Sequence, residues 1–137
     1  MSFRIQKVEY YYCSVVDQPG EAYRLLSQLE KSWINLLAFT AIPIGPNRTQ
    51  LAIFPEVASK LTIEAKRTNF PLDGPYYALL AQGDDELGAF ADVHEKLYQA
   101  SVNVYACSGV TDGKGSFGYI LYIRSEEFDR AISALNM

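Results

Sequence analysis

Two hydrophobic rhythms alternate along this chain, and the switches between them mark its elements. Residues 8–16 are rich in Val and Tyr, which suit a pleated surface, and predict a strand. Ala22, Leu25, Leu26, Leu29 and Trp33 then fall at i, i+3, i+4, i+7 and i+11, one apolar face of a helix. Asp17 is placed to cap that helix and Pro19 to occupy its first turn. Residues 35–42 predict a second strand, 43–47 a loop by their Pro, Gly and Asn content, and 49–54 a third strand. Pro55 suits the start of a second helix, in which Val57, Leu61 and Ala65 recur every four residues.

The rest of the chain repeats that order. Residues 76–82 predict a strand, and Phe90, Val93, Leu97 and Ser101 mark the inward face of a helix starting at about residue 87. Residues 103–108 and 117–123 predict strands joined by a hairpin loop at 111–115. Ser125 is placed to cap a last helix with Phe128, Ala131, Ile132 and Leu135 as its stripe.

The two halves correspond at a fixed offset of 68 residues. Asp17-Gln18-Pro19-Gly20 is matched by Asp85-Glu86-Leu87-Gly88, and each Gly is followed fifteen residues later by an Asn, Asn35 or Asn103. Leu29/Leu97, Ala38/Ala106 and Gly45/Gly113 keep the offset without an insertion. The expected fold is therefore α+β: a tandem repeat of ferredoxin-like βαββαβ units, antiparallel sheets with helices on one face. The domains are expected at 1–73 and 74–137. Residues 70–72 could supply a fourth strand to the first copy. For the second copy the alternating stretch 3–6 is the candidate, crossing over from the N-terminal end; the competing reading is one long first strand over 3–16.

The stretch from Val16-Asp17-Gln18-Pro19-Gly20 through Leu25-Leu26 and Leu29 to Ile34-Asn35-Leu36 resembles the ACT domains, small βαββαβ regulatory modules of amino-acid metabolism. The second copy keeps Asp85, Gly88, Leu97 and Asn103 but has Leu87 where the Pro would stand. The resemblance covers nearly the whole chain and implies a tandem, free-standing ACT protein without a catalytic domain. It implies an amino-acid ligand at an interface between domains or subunits, held by the loop between the first strand and first helix. Carried onto this sequence, the candidate residues are Asp17, Gln18, Pro19, Gly20, Glu21 and Asn35, with Asp85, Gly88, Ala89 and Asn103 in the second copy. The chemistry suits a zwitterion. A helix N-terminus offers unpaired N–H groups to a carboxylate, a glycine admits close approach, an Asn side chain both donates and accepts, and an Asp accepts from an ammonium group. Set against this, an Asp before a helix is commonly only a cap. The first loop is expected to be the better site, with Asn35 close to it across the strand end. Asp84 adds negative charge to the second.

Composition narrows the alternatives. A chain of 137 residues, 49% hydrophobic and 20% charged, can build a real core. No apolar run approaches the ~20 residues needed to span a bilayer, and the N-terminal residues lack the pattern of a signal peptide. Cys13 and Cys107 do not correspond under the offset, so they are expected as free thiols in a reducing, cytoplasmic compartment. Net charge is −4 and the basic residues form no stripe, which argues against nucleic acid as a partner. Gly113-Lys114-Gly115-Ser116-Phe117-Gly118 fits G-x-G-x-x-G, but a strand follows it, so it is a hairpin and no dinucleotide fingerprint. His94 is the only histidine, standing where the first copy has Leu26, and is read as a partly buried packing residue. No metal-ligand cluster, cofactor motif or nucleophile–base set is visible.

Three readings follow. The leading one is a non-catalytic amino-acid sensor, a homodimer or a partner of an amino-acid-metabolising enzyme. The others are an interaction module with vestigial ligand sites and a small enzyme on a ferredoxin-like scaffold.

Overall fold

The computed structural model describes residues 3–136. Their order is β1 (Phe3–Val16), α1 (Glu21–Lys31), β2 (Leu36–Pro43), β3 (Arg48–Pro55), α2 (Ala58–Thr68), β4 (Asp73–Asp84), α3 (Ala89–Gln99), β5 (Val104–Thr111), β6 (Ser116–Ile123) and α4 (Phe128–Asn136), with a 3₁₀ turn at Ser125–Glu127 before α4. The chain forms two compact units, residues 9–76 and residues 1–8 together with 77–137. Strands β1 and β4 each contribute one stretch to both.

In the 9–76 unit the strand order is β2-β3-β1-β4. β3 pairs antiparallel with β1, Tyr11 opposite Ile53 and Cys13 opposite Leu51, and with β2, Phe39 opposite Ile53. The pleat then sends Tyr11, Cys13, Leu51 and Ile53 to one face, where Leu25 and Leu29 of α1 and Leu61 of α2 meet them in a core. Each buried Leu or Ile contributes roughly 1.5–3 kcal/mol. Residues 70–72 are not a strand: Phe70 and Leu72 pack against this core, and β4 begins at Asp73. On the opposite face Tyr10 stacks on Phe54 at 4.9 Å between centroids and lies 5.7 Å from Tyr76.

In the other unit the order is β1-β4-β6-β5. Leu79 pairs with Leu121 and Ala81 with Tyr119, and these side chains pack with Val93 and Leu97 of α3 and Ala131 and Leu135 of α4. The start of β1 belongs here: Ile5 packs on this core, Arg4 donates to the Gln82 Oε1 at 3.4 Å, and the Lys7 ammonium stands 4.5 Å from the Tyr77 ring centre. The pairs β1–β3, β2–β3, β4–β6 and β5–β6 are antiparallel, and the fold is ferredoxin-like.

The backbone repeats down to single hydrogen bonds. α1 ends with Trp33 N–H donating to Glu30 O and Ile34 N–H to Leu29 O; α3 ends with Ser101 N–H to Tyr98 O and Val102 N–H to Leu97 O. Both helices close through a residue at φ 59°, Trp33 or Ser101, the left-handed stop that turns the chain back onto the helix. This corrects the sequence expectation for both residues. The left-handed turn swings Trp33 off the apolar stripe, and it is 85% exposed; Ser101 is exposed too. Pro55 ends β3 instead of opening α2, which starts at Ala58 behind an extended Val57. Ser125 caps nothing: it opens the 3₁₀ turn ahead of α4.

Candidate functional site

The two β–α loops are built alike. Asp17 N–H donates to Asn47 O at 2.8 Å and Asp85 N–H to Gly115 O at 2.9 Å, so each Asp ends its strand by bonding to the neighbouring hairpin loop. The chain then turns through Gly20 (φ 91°, ψ −8°) or Gly88 (φ 82°, ψ 10°) into the helix. These glycines, not the aspartates, occupy the N-cap, and neither helix has a side-chain cap. Asp17 and Asp85 stand too early in the chain to cap: their main chains are still held by the hairpin. The outcome is a pair of exposed loops in which a helix without a side-chain cap follows a left-handed glycine; at the second, the Ala89 N–H is taken by Glu86 O at 3.0 Å. A Cβ at Gly88 would meet nothing within 4 Å, and at Gly20 only the Arg24 guanidinium at 3.9 Å.

The charges around the loops differ. At the first, the Glu21 carboxylate accepts from Gln18 Nε2 at 3.2 Å and from Arg24, which brings a cation to the mouth of the loop. At the second, Glu21 is replaced by buried Ala89 and Arg24 by Asp92, which pairs with Lys96 at 3.4 Å. Asp84, Asp85 and Glu86 precede Gly88, and Leu87 is fully exposed. Arg24, paired with Glu21, thus distinguishes the first loop from the wholly acidic run 84–86 that leads into the second.

Asn35 and Asn103 do not join their own loops. Asn35 O accepts from Glu56 N–H at 2.8 Å, beyond one end of β3, whereas Asn47, the partner of Asp17, lies beyond the other. Eight residues of strand separate those ends by about 26 Å, and the 11 residues of α1 lie between Gly20 and Asn35. Asn103 is likewise placed, its N–H donating to Glu127 Oε1 at 3.3 Å just past β6. A separation of fifteen residues that includes a helix carries the chain from one end of the unit to the other. Asn35 instead lines an apolar cleft of about 420 Å³ with Leu26, Leu29, Trp33 and Leu36.

Two polar clusters went unread in the sequence. Between α1 and α2 a cleft of about 390 Å³ is lined by Tyr23, Arg24, Gln28, Lys31, Glu64 and Arg67. Glu64 is only 8% exposed, though polar by type. Arg67 grips it through both carboxylate oxygens at 2.9 and 2.7 Å, and Gln28 Nε2 lies at 3.4 Å. The Arg67 hydrogen bonds, aided by Ser32 and Gln28 against the opposing effect of burial, hold its carboxyl down at about 2. The i,i+3 spacing of Glu64 and Arg67 was the available signal. His94, expected to pack, in addition hydrogen-bonds the Tyr119 hydroxyl. Among the described residues no group of three or more His, Cys, Asp or Glu is placed to hold a metal ion, and no helix is long and apolar enough to cross a membrane.

No family model matches the sequence, and no curated protein matches it. Solved structures do. The chain is similar to protein BT0572 from Bacteroides thetaiotaomicron, with TM-score 0.80 at 16% identity over 96% of this chain and 88% of that one. It is similar to the regulatory subunit of aspartate kinase from Thermus flavus, with TM-score 0.61 at 14% identity over 98% and 94% of the two chains. The ligand-free regulatory subunit of aspartate kinase from Thermus thermophilus gives TM-score 0.62 at 14% identity over 96% and 93%. At such identities the likeness is one of fold.

Proposed function

We propose that this chain is a non-catalytic, cytoplasmic regulatory protein of two ACT-like domains that binds a small amino acid at a subunit interface. The observation that carries the proposal is the duplicated loop in which a left-handed glycine presents an uncapped helix N-terminus, joined in the first copy by Arg24 and Gln18. The ligand carboxylate is received by the first turn of α1 and by Arg24, and its ammonium by Asp17. Because Asn35 lies at the far end of its own unit, the Asn that completes the site comes from a second copy of the chain. That makes the homodimer part of the binding site. Exposed Leu37, Ile42 and Ile44, on and just beyond edge strand β2, supply apolar surface for it. The fold shared with two aspartate kinase regulatory subunits supports a regulatory role, and amino-acid metabolism supplies the partner enzyme. The acidic second loop supports a vestigial role for Asp85, Gly88, Ala89 and Asn103.

The test is a thermal-shift screen of the full chain against the common amino acids, with sedimentation in parallel. A ligand at 100 times its Kd stabilises by about 2.7 kcal/mol. Binding that vanishes on replacing Arg24 by Glu or Asn35 by Ala, together with a dimer, supports the reading. Silence across the screen overturns it in favour of an interaction module.

A further inference from the structure

Tyr119 of β6 is a buried phenol, 6% exposed, whose hydroxyl reaches two groups nearer the surface. It meets Nε2 of half-buried His94 from α3 and, at 3.3 Å, Sγ of exposed Cys107 from β5. The ring is clamped: Phe90 lies 4.5 Å away between centroids, and a Cβ on Gly109 would come within 2.8 Å of it. The repeat provides an internal control. At the offset of 68, His94, Cys107 and Tyr119 correspond to Leu26, Phe39 and Leu51, of which Leu51 is in the core and Phe39 packs against it. The same fold thus closes over three hydrocarbon side chains in one unit and a continuous S···O···N line in the other. Packing alone does not ask for the polar set, since burying a phenol costs stability unless its hydroxyl is bonded.

We propose that Cys107 is a thiol-modification site that takes low-molecular-weight disulfides, with Tyr119 and His94 carrying its proton. The hydrogen-bond line runs in either direction: Tyr119 donates to Sγ while His94 donates to Tyr119, or Cys107 donates to Tyr119 while Tyr119 donates to Nε2. Passing from the second to the first moves the thiol proton to the phenol and the phenol proton to the imidazole. As the sulfur attacks one sulfur of R–S–S–R, a Cys107–S–S–R bond forms and the R–S–S–R bond breaks. The electron pair leaves on R–S⁻, which takes up a proton from the imidazolium through solvent. The Cys107 sulfur is oxidised and the departing half of the disulfide is reduced. Burial, and next its bond to Cys107, push the Tyr119 phenol above its ordinary range, so it hands on a proton without losing its own. Cys13 is the built-in reference: it is 6% exposed, and burial pushes its thiol up.

The experiment treats the full chain with oxidised glutathione near neutral pH and follows adducts by mass spectrometry. The expected result is one adduct, on Cys107, with Cys13 unmodified. Tyr119→Phe and His94→Leu should each slow it about fivefold, the effect of one hydrogen bond of ordinary net strength. The double variant should be no slower than either single one, because both changes cut the same line. No adduct in the parent, or equal rates in parent and variants, overturns the proposal. Should Tyr119→Phe fail to fold, Cys13 will react as well; His94→Leu, which installs the first copy's residue type at a half-buried position, then decides.

Discussion

Replacing Gly20 or Gly88 by alanine isolates one physical quantity. Both glycines have positive φ, 91° and 82°, and both would place a new Cβ in open space, nothing nearer than 3.9 Å. No clash contributes, so the cost is torsional: about 1–2 kcal/mol for an L-residue in the left-handed region, less the ~0.4–1 kcal/mol gained from a stiffer unfolded chain. A net loss of about 1 kcal/mol is expected from each, or roughly 3–5 °C in Tm for a chain of this size. The two costs should add, since the loops share no partner. Gly118 is the control. It too has open space around its would-be Cβ, but its φ is not positive, and Gly118→Ala should be neutral or slightly stabilising. Urea titrations followed by far-UV circular dichroism measure all four variants. If Gly118→Ala costs as much as Gly88→Ala, the left-handed turn is not what these positions require. The functional arm uses the same proteins: a methyl group at Gly20 occupies the approach to α1, so amino-acid binding should fall more than stability, while Gly88→Ala should leave binding intact.

Three further outcomes are expected. Trp33→Gly relieves a bulky residue at φ 59° and should raise stability by up to ~1 kcal/mol, while removing the indole from the Asn35 cleft and weakening ligand binding; Ser101→Gly should raise stability alone. Glu64 has a folded value of about 2, below its ordinary 4.5, so its contribution is fully present above the ordinary value and is lost as pH falls through about 2. Glu64→Gln should therefore flatten the acid limb of a Tm-against-pH curve within that window, and an unchanged limb would refute the assignment. Gly109→Ala drives a Cβ to 2.8 Å from the clamped Tyr119 ring and 3.1 Å from Phe90; it should destabilise the protein by about 1–3 kcal/mol and alter the Cys107 reaction, whereas a silent substitution would show that the ring is free to move.

Much of the fold was legible because its signals are local. The i, i+3, i+4 stripe of α1 placed Leu25 and Leu29 in the core, the stretches 49–54 and 117–123 were recognisable as strands, and the constant offset announced the repeat. Less of the site was legible. Asp17 looks like a cap by residue type, yet its main chain is held by Asn47, a partner thirty residues on, which no local pattern discloses. Trp33 extends the helical stripe on paper, but the helix stops two residues earlier at Lys31. Glu64 reads as a solvated residue until Arg67 and Gln28 are seen around it. Asn35 looks near Gly20 because sequence spacing does not say which way an intervening helix carries the chain.

The division of the chain into residues 9–76 and residues 1–8 with 77–137 sets an order of events during synthesis. The first unit is contiguous: it leaves the ribosome whole and can close on itself while the remainder is still being made. The other draws one stretch, which includes Ile5 and Lys7, from ahead of residue 9 and its helices from beyond residue 76, so it cannot close until both have been made. At about 5–20 residues per second, that stretch waits several seconds for β4 and longer for Phe128. During that interval its native partners are still unmade, and Arg4 and Lys7, which meet Gln82 and Tyr77 once the unit closes, are charges of the kind that disfavour pairing of a strand with wrong neighbours.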